Sequence, residues 1–296
     1  KPVFVNIDNT LNMNPAELES AITKKTKAII PVHMLGVATQ QDKIIAIAKR
    51  HKIPILDDAC ESLGAEWGDE KLGAQVDISA WSFDSGKTII AGEGGMITTN
   101  NEELYLLAKE YHDHGHMNNP NLPRGRDTHR NYGFNYRMTE IQAVIAKVQL
   151  EKIDYIVEKN RENYSIIENA FSGIKCGKLR TIPSKCNPLC DTLIVQFDSK
   201  SIADEFVARI QDNKLGTKNL PDAIEWHYAK YWDHMLVQIE MSKIDFDKSL
   251  EVSTNIIERC VALPIMVKTS KKDLENTALI LMKILNEIQK KNLIFC

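Results

Sequence analysis

Apolar residues along the first half of the chain fall into short runs, and stretches of helical spacing separate those runs. Asn14-Pro15 stands ahead of AELESAITKKT, where Pro sits near a helix start and the apolar residues recur at helical intervals. Lys27 to Val32 then reads as a short buried strand. Gln40 to His51 carries Ile44, Ile45, Ile47 and Ala48 and predicts a helix. Ile53-Pro54-Ile55-Leu56 predicts a second strand, running directly into Asp57-Asp58. Ile78 to Phe83 and Gly95 to Thr99 predict two more, the last followed by a helix over Glu102 to Tyr111. Strands separated by helices point to an α/β fold with a mostly parallel sheet.

The pattern changes after residue 112. Asp113 to Tyr136 is polar and aperiodic, which marks a functional or disordered segment. Thr139 opens a long helix expected to continue through Tyr155 and Tyr164. Beyond it the clearest elements are a strand over Thr192 to Phe197 and helices over Ile202 to Asn213 and Lys272 to Lys291. The expected organisation is a large α/β domain over 1–160 and a smaller α+β C-terminal domain over 161–296.

Composition narrows the function classes. The chain has 296 residues, of which 43% are hydrophobic and 26% charged, values typical of a globular protein with a real core. Lys+Arg 37 against Asp+Glu 40 leaves a net charge of −3, which argues against a nucleic-acid partner and against disorder. No apolar run approaches the roughly 20 residues of a membrane span, and the start, KPVFVNIDNT, does not read as a signal peptide. Six scattered cysteines are too few for a disulfide scaffold and favour a reducing, cytoplasmic setting.

Polar clusters follow the expected strands: Asp57 to Glu61, Ser82 to Thr88, and Gly92 to Gly95. Ligands of open α/β sheets bind at the carboxyl ends of strands, so these clusters are candidate pocket walls, or else surface ion pairs and turn glycines. Gly86-Lys87-Thr88 is not a phosphate loop, because the position that requires the first glycine holds Trp81. No G-x-G-x-x-G follows a strand. His112, His114 and His116 lack a second Cys/His pair at zinc spacing and read as solvated loop residues, so no metal is expected. A lysine beside a strand-end aspartate instead suggests Schiff-base chemistry with an aldehyde cofactor.

The ordered set Asp57 to Ala65, Ser82 to Ile89, Gly92 to Met96, Pro31-Val32-His33 with Gly36, and Gly133 to Met138 with Glu140, Gln142-Ala143 and Gln149-Leu150 resembles the DegT/DnrJ/EryC1/StrS family. These are pyridoxal-phosphate (PLP) sugar aminotransferases of fold type I. The resemblance implies that Lys87 holds pyridoxal 5'-phosphate as a Schiff base and later moves a proton. Asp58 pairs with the pyridine nitrogen, and Ser82 binds the phosphate. Glu61 stands where the family often has Gln, near the ring hydroxyl, and its contact stays open. Asn135 reaches the phosphate of the neighbouring subunit's cofactor, which implies a homodimer. His33 lies beside the ring or is a packed strand-end histidine. The family carries a further segment ahead of the position of Lys1, so the chain reads as N-terminally truncated.

Residues 123–128 and 225–234 are similar to the branch that aminates an 8-oxo-3-deoxy-octulosonate. The substrate-binding candidates are Arg124 or Arg126, which would pair with the substrate carboxylate, and His227. The arginines read equally as solvated or subunit-bridging residues. The expected reaction is amination of a keto-sugar with glutamate as donor. A nucleotide-linked 4-keto-6-deoxy sugar is the alternative substrate. A dehydratase of the same family is disfavoured by Lys87, and a non-catalytic relative is a further alternative.

Overall fold

A computed structural model describes residues 1–293. Its strands are β1 (Leu56–Asp58), β2 (Glu66–Trp67), β3 (Glu70–Lys71), β4 (Ile78–Ser82), β5 (Gly95–Thr98), β6 (Gly177–Leu179), β7 (Cys186–Asn187), β8 (Thr192–Phe197) and β9 (Cys260–Pro264). The principal helices of the first half are α1 (Pro15–Ala21), α2 (Gln41–His51), α3 (Glu102–His112), α4 (Glu140–Leu150) and α5 (Ile153–Glu168). After them come α6 (Lys200–Asp212), short helices α7 to α10 (Ile224–His227, Leu236–Ile239, Lys243–Ser249, Glu251–Ile257) and α11 (Lys271–Leu293).

The sheet that carries the strand-end clusters has the order β1-β4-β5. β1 and β4 are parallel, with Asp58 opposite Ala80. The expected first strand is reduced to two parallel bridges, Ile29 to Ile55 and Val32 to Asp58. Helix α2 packs behind it because Ile44, Ile47 and Ala48, at helical spacing, meet Ile29 and Ile55 in one buried cluster. Its last turn carries Lys49, Arg50 and His51, which complement the helix dipole, and Lys52 ends it in the left-handed region at φ 56. β5 departs from the parallel expectation and runs antiparallel to β4. The loop between them contains no helix, and a parallel return needs such a crossover.

The long helix expected from Thr139 is two helices. Thr139 opens α4 with a capping box completed by Gln142, as its sequence suggests. The helix then breaks at Glu151-Lys152, and α5 goes on from the α4 cluster to two further ones. Ala146 of α4 packs with Phe83, Ile89 and Ala91. On α5, Val157 packs beside Ala65 and Trp67, and Ile167 packs in the core of the C-terminal sheet.

That C-terminal sheet has the order β6-β8-β9 and is antiparallel. Every residue of β8 is buried. Its alternating side chains explain why. Leu193, Val195 and Phe197 face the core built with α6 and α11, whereas Ile194 faces a second cluster with Leu11 and Leu35. A strand buried on both faces joins the two halves of the chain. The pairing of β7 with β2 adds a second seam. Among the described residues no helix is long and apolar enough to cross a membrane.

Arg180 crosses the same boundary. It is 7% exposed, and its guanidinium donates to the carbonyl oxygens of Thr10 (2.6 Å) and Leu35 (3.4 Å) and to Asn12 Oδ1 (3.4 Å). Burial lowers its pKa to about 10, still far above neutrality. Arg180→Met strands these buried acceptors and is expected to cost roughly 3 kcal/mol. Chemical denaturation checks this, and an unchanged midpoint would contradict a bracing role.

Candidate active site

The loop after β4 is closed at its base by backbone. Phe83 N–H donates to the Gly94 carbonyl and Ala91 N–H to the Phe83 carbonyl, both at 2.9 Å. Buried Phe83, Ile89 and Ala91 anchor the loop from below. Asp84 Oδ1 accepts from Gly86 N–H at 2.8 Å, an Asx turn that leads the chain into Lys87. The Lys87 side chain is 19% exposed, with Nζ 3.4 Å from Glu61 Oε1 and 3.9 Å from Asp84 Oδ2.

Glu61 is the meeting point of separate segments. Its Oε2 accepts from Leu35 N–H at 3.1 Å, in the turn after His33. Its Oε1 accepts from Lys87 and also from Asn219 Nδ2 at 3.3 Å, which comes from the C-terminal half. Asn219 was not foreseen. It adopts φ 63 just before the bond to Pro221 via Leu220, in a stretch that carries no motif. Only its non-helical, Gly-Thr-flanked setting hinted at a turn. Lys218 beside it is held by Asp191 at 2.7 Å.

The paired aspartates separate as the pleat requires. Asp57 is fully buried against His33 Nε2 and Gln41 Nε2, both at 3.0 Å. Asp58 is half-buried at the strand end, and among the described residues its carboxylate accepts from Cys60 N–H at 3.2 Å. Burial beside Asp58 pushes the Cys60 thiol up to about 12, so it stays protonated. Ser82 ends β4, and its Oγ accepts from Asp84 N–H at 3.3 Å.

His33 does not lie in the cleft. It is fully buried, its Nδ1 accepts from Thr39 N–H at 3.0 Å, and its Nε2 is engaged with Asp57. The packed-histidine reading replaces the ring-side one. Arg124 is also corrected as a free carboxylate anchor, because its fork is already closed on Asp113 at 2.6 and 2.9 Å. That pairing, chiefly the Arg124 hydrogen bonds, holds the Asp113 carboxyl well below the usual range. Arg126 and His227 are exposed, with no ion pair or side-chain hydrogen bond tying them to Lys87 among the described residues. His116 meets Asp127 at 3.3 Å and packs against the tilted ring of His129, with centroids 4.4 Å apart, which fastens the polar loop to itself. Asn135 is exposed, opposite Asp113 in an antiparallel bridge, and its Oδ1 accepts from Arg137 Nε at 3.0 Å.

A largely unspent carboxylate thus stands at the end of β1, a hydroxyl at the end of the neighbouring parallel strand β4, and a primary amine in the loop that follows it. This donor set fits the PLP that the resemblance implies. Lys87 would hold the aldehyde carbon, Asp58 the pyridine nitrogen and Ser82 the phosphate.

Comparison with known proteins adds independent findings. The profile described as the DegT/DnrJ/EryC1/StrS aminotransferase family matches residues 1–281. Protein MJ1066 of Methanocaldococcus jannaschii is 31% identical over 306 aligned positions, covering 97% of this chain and 74% of that protein. GDP-perosamine synthase of Caulobacter vibrioides is 43% identical over 159 positions, 52% of this chain but only 40% of that enzyme. Among solved structures, an aminotransferase from Psychrobacter cryohalolentis superposes with TM-score 0.84 at 24% identity, covering 97% and 76% of the two chains. PseC of Helicobacter pylori gives TM-score 0.82 at 22% identity, covering 97% and 74%.

The two aspartates carry an opposed prediction. Asp57→Asn is expected to lower stability by about 2 kcal/mol by disturbing a buried charged hydrogen bond. Asp58→Asn is expected to unfold at nearly the wild-type midpoint. Thermal melts of both variants decide this, and the reverse order would contradict their facing.

Proposed function

The chain belongs to the DegT/DnrJ/EryC1/StrS aminotransferase family and has the type I fold of PLP-dependent transferases, and from that premise we propose that it aminates a nucleotide-linked keto-sugar with glutamate as donor. The observation that carries the chemistry is Lys87 Nζ at a strand end, 3.4 Å from Glu61, with Asp58 on the adjoining parallel strand. PLP, the family's cofactor, supplies when bound an electron sink that eases breaking of the C–H bond beside the nitrogen. Lys87 would anchor it through Nζ and, once free, carry the proton between carbon atoms. Asp58 would keep the pyridine nitrogen protonated. Glu61, clamped by Leu35 N–H and Asn219, would hold the lysine aligned between these tasks.

The nucleotide-sugar reading is favoured by the perosamine synthases of Caulobacter vibrioides and Escherichia coli, 43% and 38% identical over the stretches they share with this chain. The closed Arg124–Asp113 pair leaves only one of the two candidate arginines, Arg126, for a sugar carboxylate. The octulosonate remains the second reading, resting on Arg126, which is exposed and without an ion pair among the described residues. Cys60, Cys176, Cys186, Cys190 and Cys260 are free thiols, in keeping with a cytoplasmic enzyme.

A homodimer with Asn135 acting in trans belongs to the same reading. Helix α4 leaves Ile141 76% and Val144 60% exposed, next to Tyr132 at 77% and Tyr136 at 64%. An apolar face of that kind matches a second copy of the chain better than water.

Two measurements test the proposal. Glutamate-dependent amination should appear with a GDP- or other nucleotide-linked 4-keto-6-deoxy sugar. Turnover with the free 8-oxo-octulosonate alone would move the assignment to the second reading. Mixing Asn135→Ala with Lys87→Ala protein should partly restore activity, because one site of each mixed dimer is intact when Asn135 acts in trans. No gain, with subunit exchange verified, would overturn the trans assignment.

A further inference from the structure

We infer that Arg137 is a positioning residue that decides which end of the Asn135 amide faces outward, so that the NH2 group and not the carbonyl oxygen meets the phosphate of the partner subunit's cofactor. The inference rests on the trans role proposed for Asn135.

An amide is two-ended. One end donates, the other accepts, and an exposed Asn exchanges them at little cost. A phosphate oxygen accepts only, so half of those orientations present it with a repelling lone pair. The local chemistry removes the ambiguity. Arg137 Nε–H can only donate, and it lies 3.0 Å from the side-chain oxygen of Asn135. The oxygen is thereby turned inward, and Nδ2 has no hydrogen-bond partner among the described residues.

Arg137 is itself held. Its Nε lies 3.4 Å from Asp113 Oδ1, and Asp113 is clamped by both arms of Arg124. The backbone fixes the spacing, since Asp113 and Asn135 face each other in an antiparallel bridge and Tyr136 N–H donates to the His112 carbonyl. One N–H therefore stands between two oxygens, that of the carboxylate and that of the amide. Without it, nothing among the described residues donates to the Asn135 oxygen, and the two ends of the amide exchange freely. Arg124 finds its place here too, as a support of this arrangement.

Equilibrium binding of PLP, followed by absorbance, tests the inference through a double-mutant cycle. Asn135→Ala should raise Kd roughly tenfold or more, the loss of a charge-assisted hydrogen bond. Arg137→Met should raise Kd roughly two- to tenfold, by depleting the competent amide orientation. In the Asn135→Ala background, Arg137→Met should change Kd no further. Binding of pyridoxal, which lacks the phosphate, should be unaffected by Arg137→Met. Equal losses with and without the Asn135 amide would show that Arg137 acts on its own and would overturn the inference while leaving the trans reading intact. Weakened pyridoxal binding would overturn it as a general lesion. An unchanged Kd in Asn135→Ala would instead overturn the trans reading on which it stands.

Discussion

Neighbouring side chains of a β-strand leave it on opposite faces, and the chemistry proposed for this protein depends on that rule at Asp57-Asp58. One carboxylate is drawn into the interior, where His33 and Gln41 both engage its Oδ2. The next is left at the strand end with its charge almost unspent. A one-residue slip of β1 would exchange them, burying the carboxylate proposed to meet the cofactor and opening the structural one. The parallel pairing with β4, Asp58 opposite Ala80, and the bridge from Val32 to Asp58 hold the register from both sides.

Around that strand end the chain gathers groups from distant segments onto Glu61. The amine comes from the loop after β4, a backbone N–H from the turn after His33, and an amide from the C-terminal half. Each arrival has a structural reason. The β4 loop is pinned at its base by backbone hydrogen bonds. Arg180 holds the carbonyl of Leu35, whose N–H serves Glu61. β8, buried on both faces, fixes the C-terminal half against the first. The site is therefore as rigid as the seam between the halves.

Much of this was legible in the sequence, and the rest was hidden for identifiable reasons. Periodicity located α2, α3, β4 and β8 to within a residue or two. α2 buries one defined face and β8 its whole run. Polar clusters after the strands drew attention to Glu61 and Lys87, which the fold brings within 3.4 Å of each other. Periodicity could not show the break between α4 and α5, since both pieces are amphipathic and differ only in what they pack against. It could not show that β5 runs antiparallel, which depends on a loop path. His33 and Arg124 stayed open between two readings, and Arg180 and Asn219 gave no signal, for one reason. Their partners lie elsewhere in the fold, and a charged or polar residue in a sequence does not announce whether its hydrogen bonds are already taken.

The central claim is that Lys87 is the amine that binds the cofactor. Borohydride reduction of the protein after incubation with PLP, followed by peptide mass analysis, tests it directly. The account predicts a covalent pyridoxyl adduct on the peptide that contains Lys87 and its loss in Lys87→Ala. A full yield of adduct in Lys87→Ala, or an adduct confined to another lysine, would contradict it.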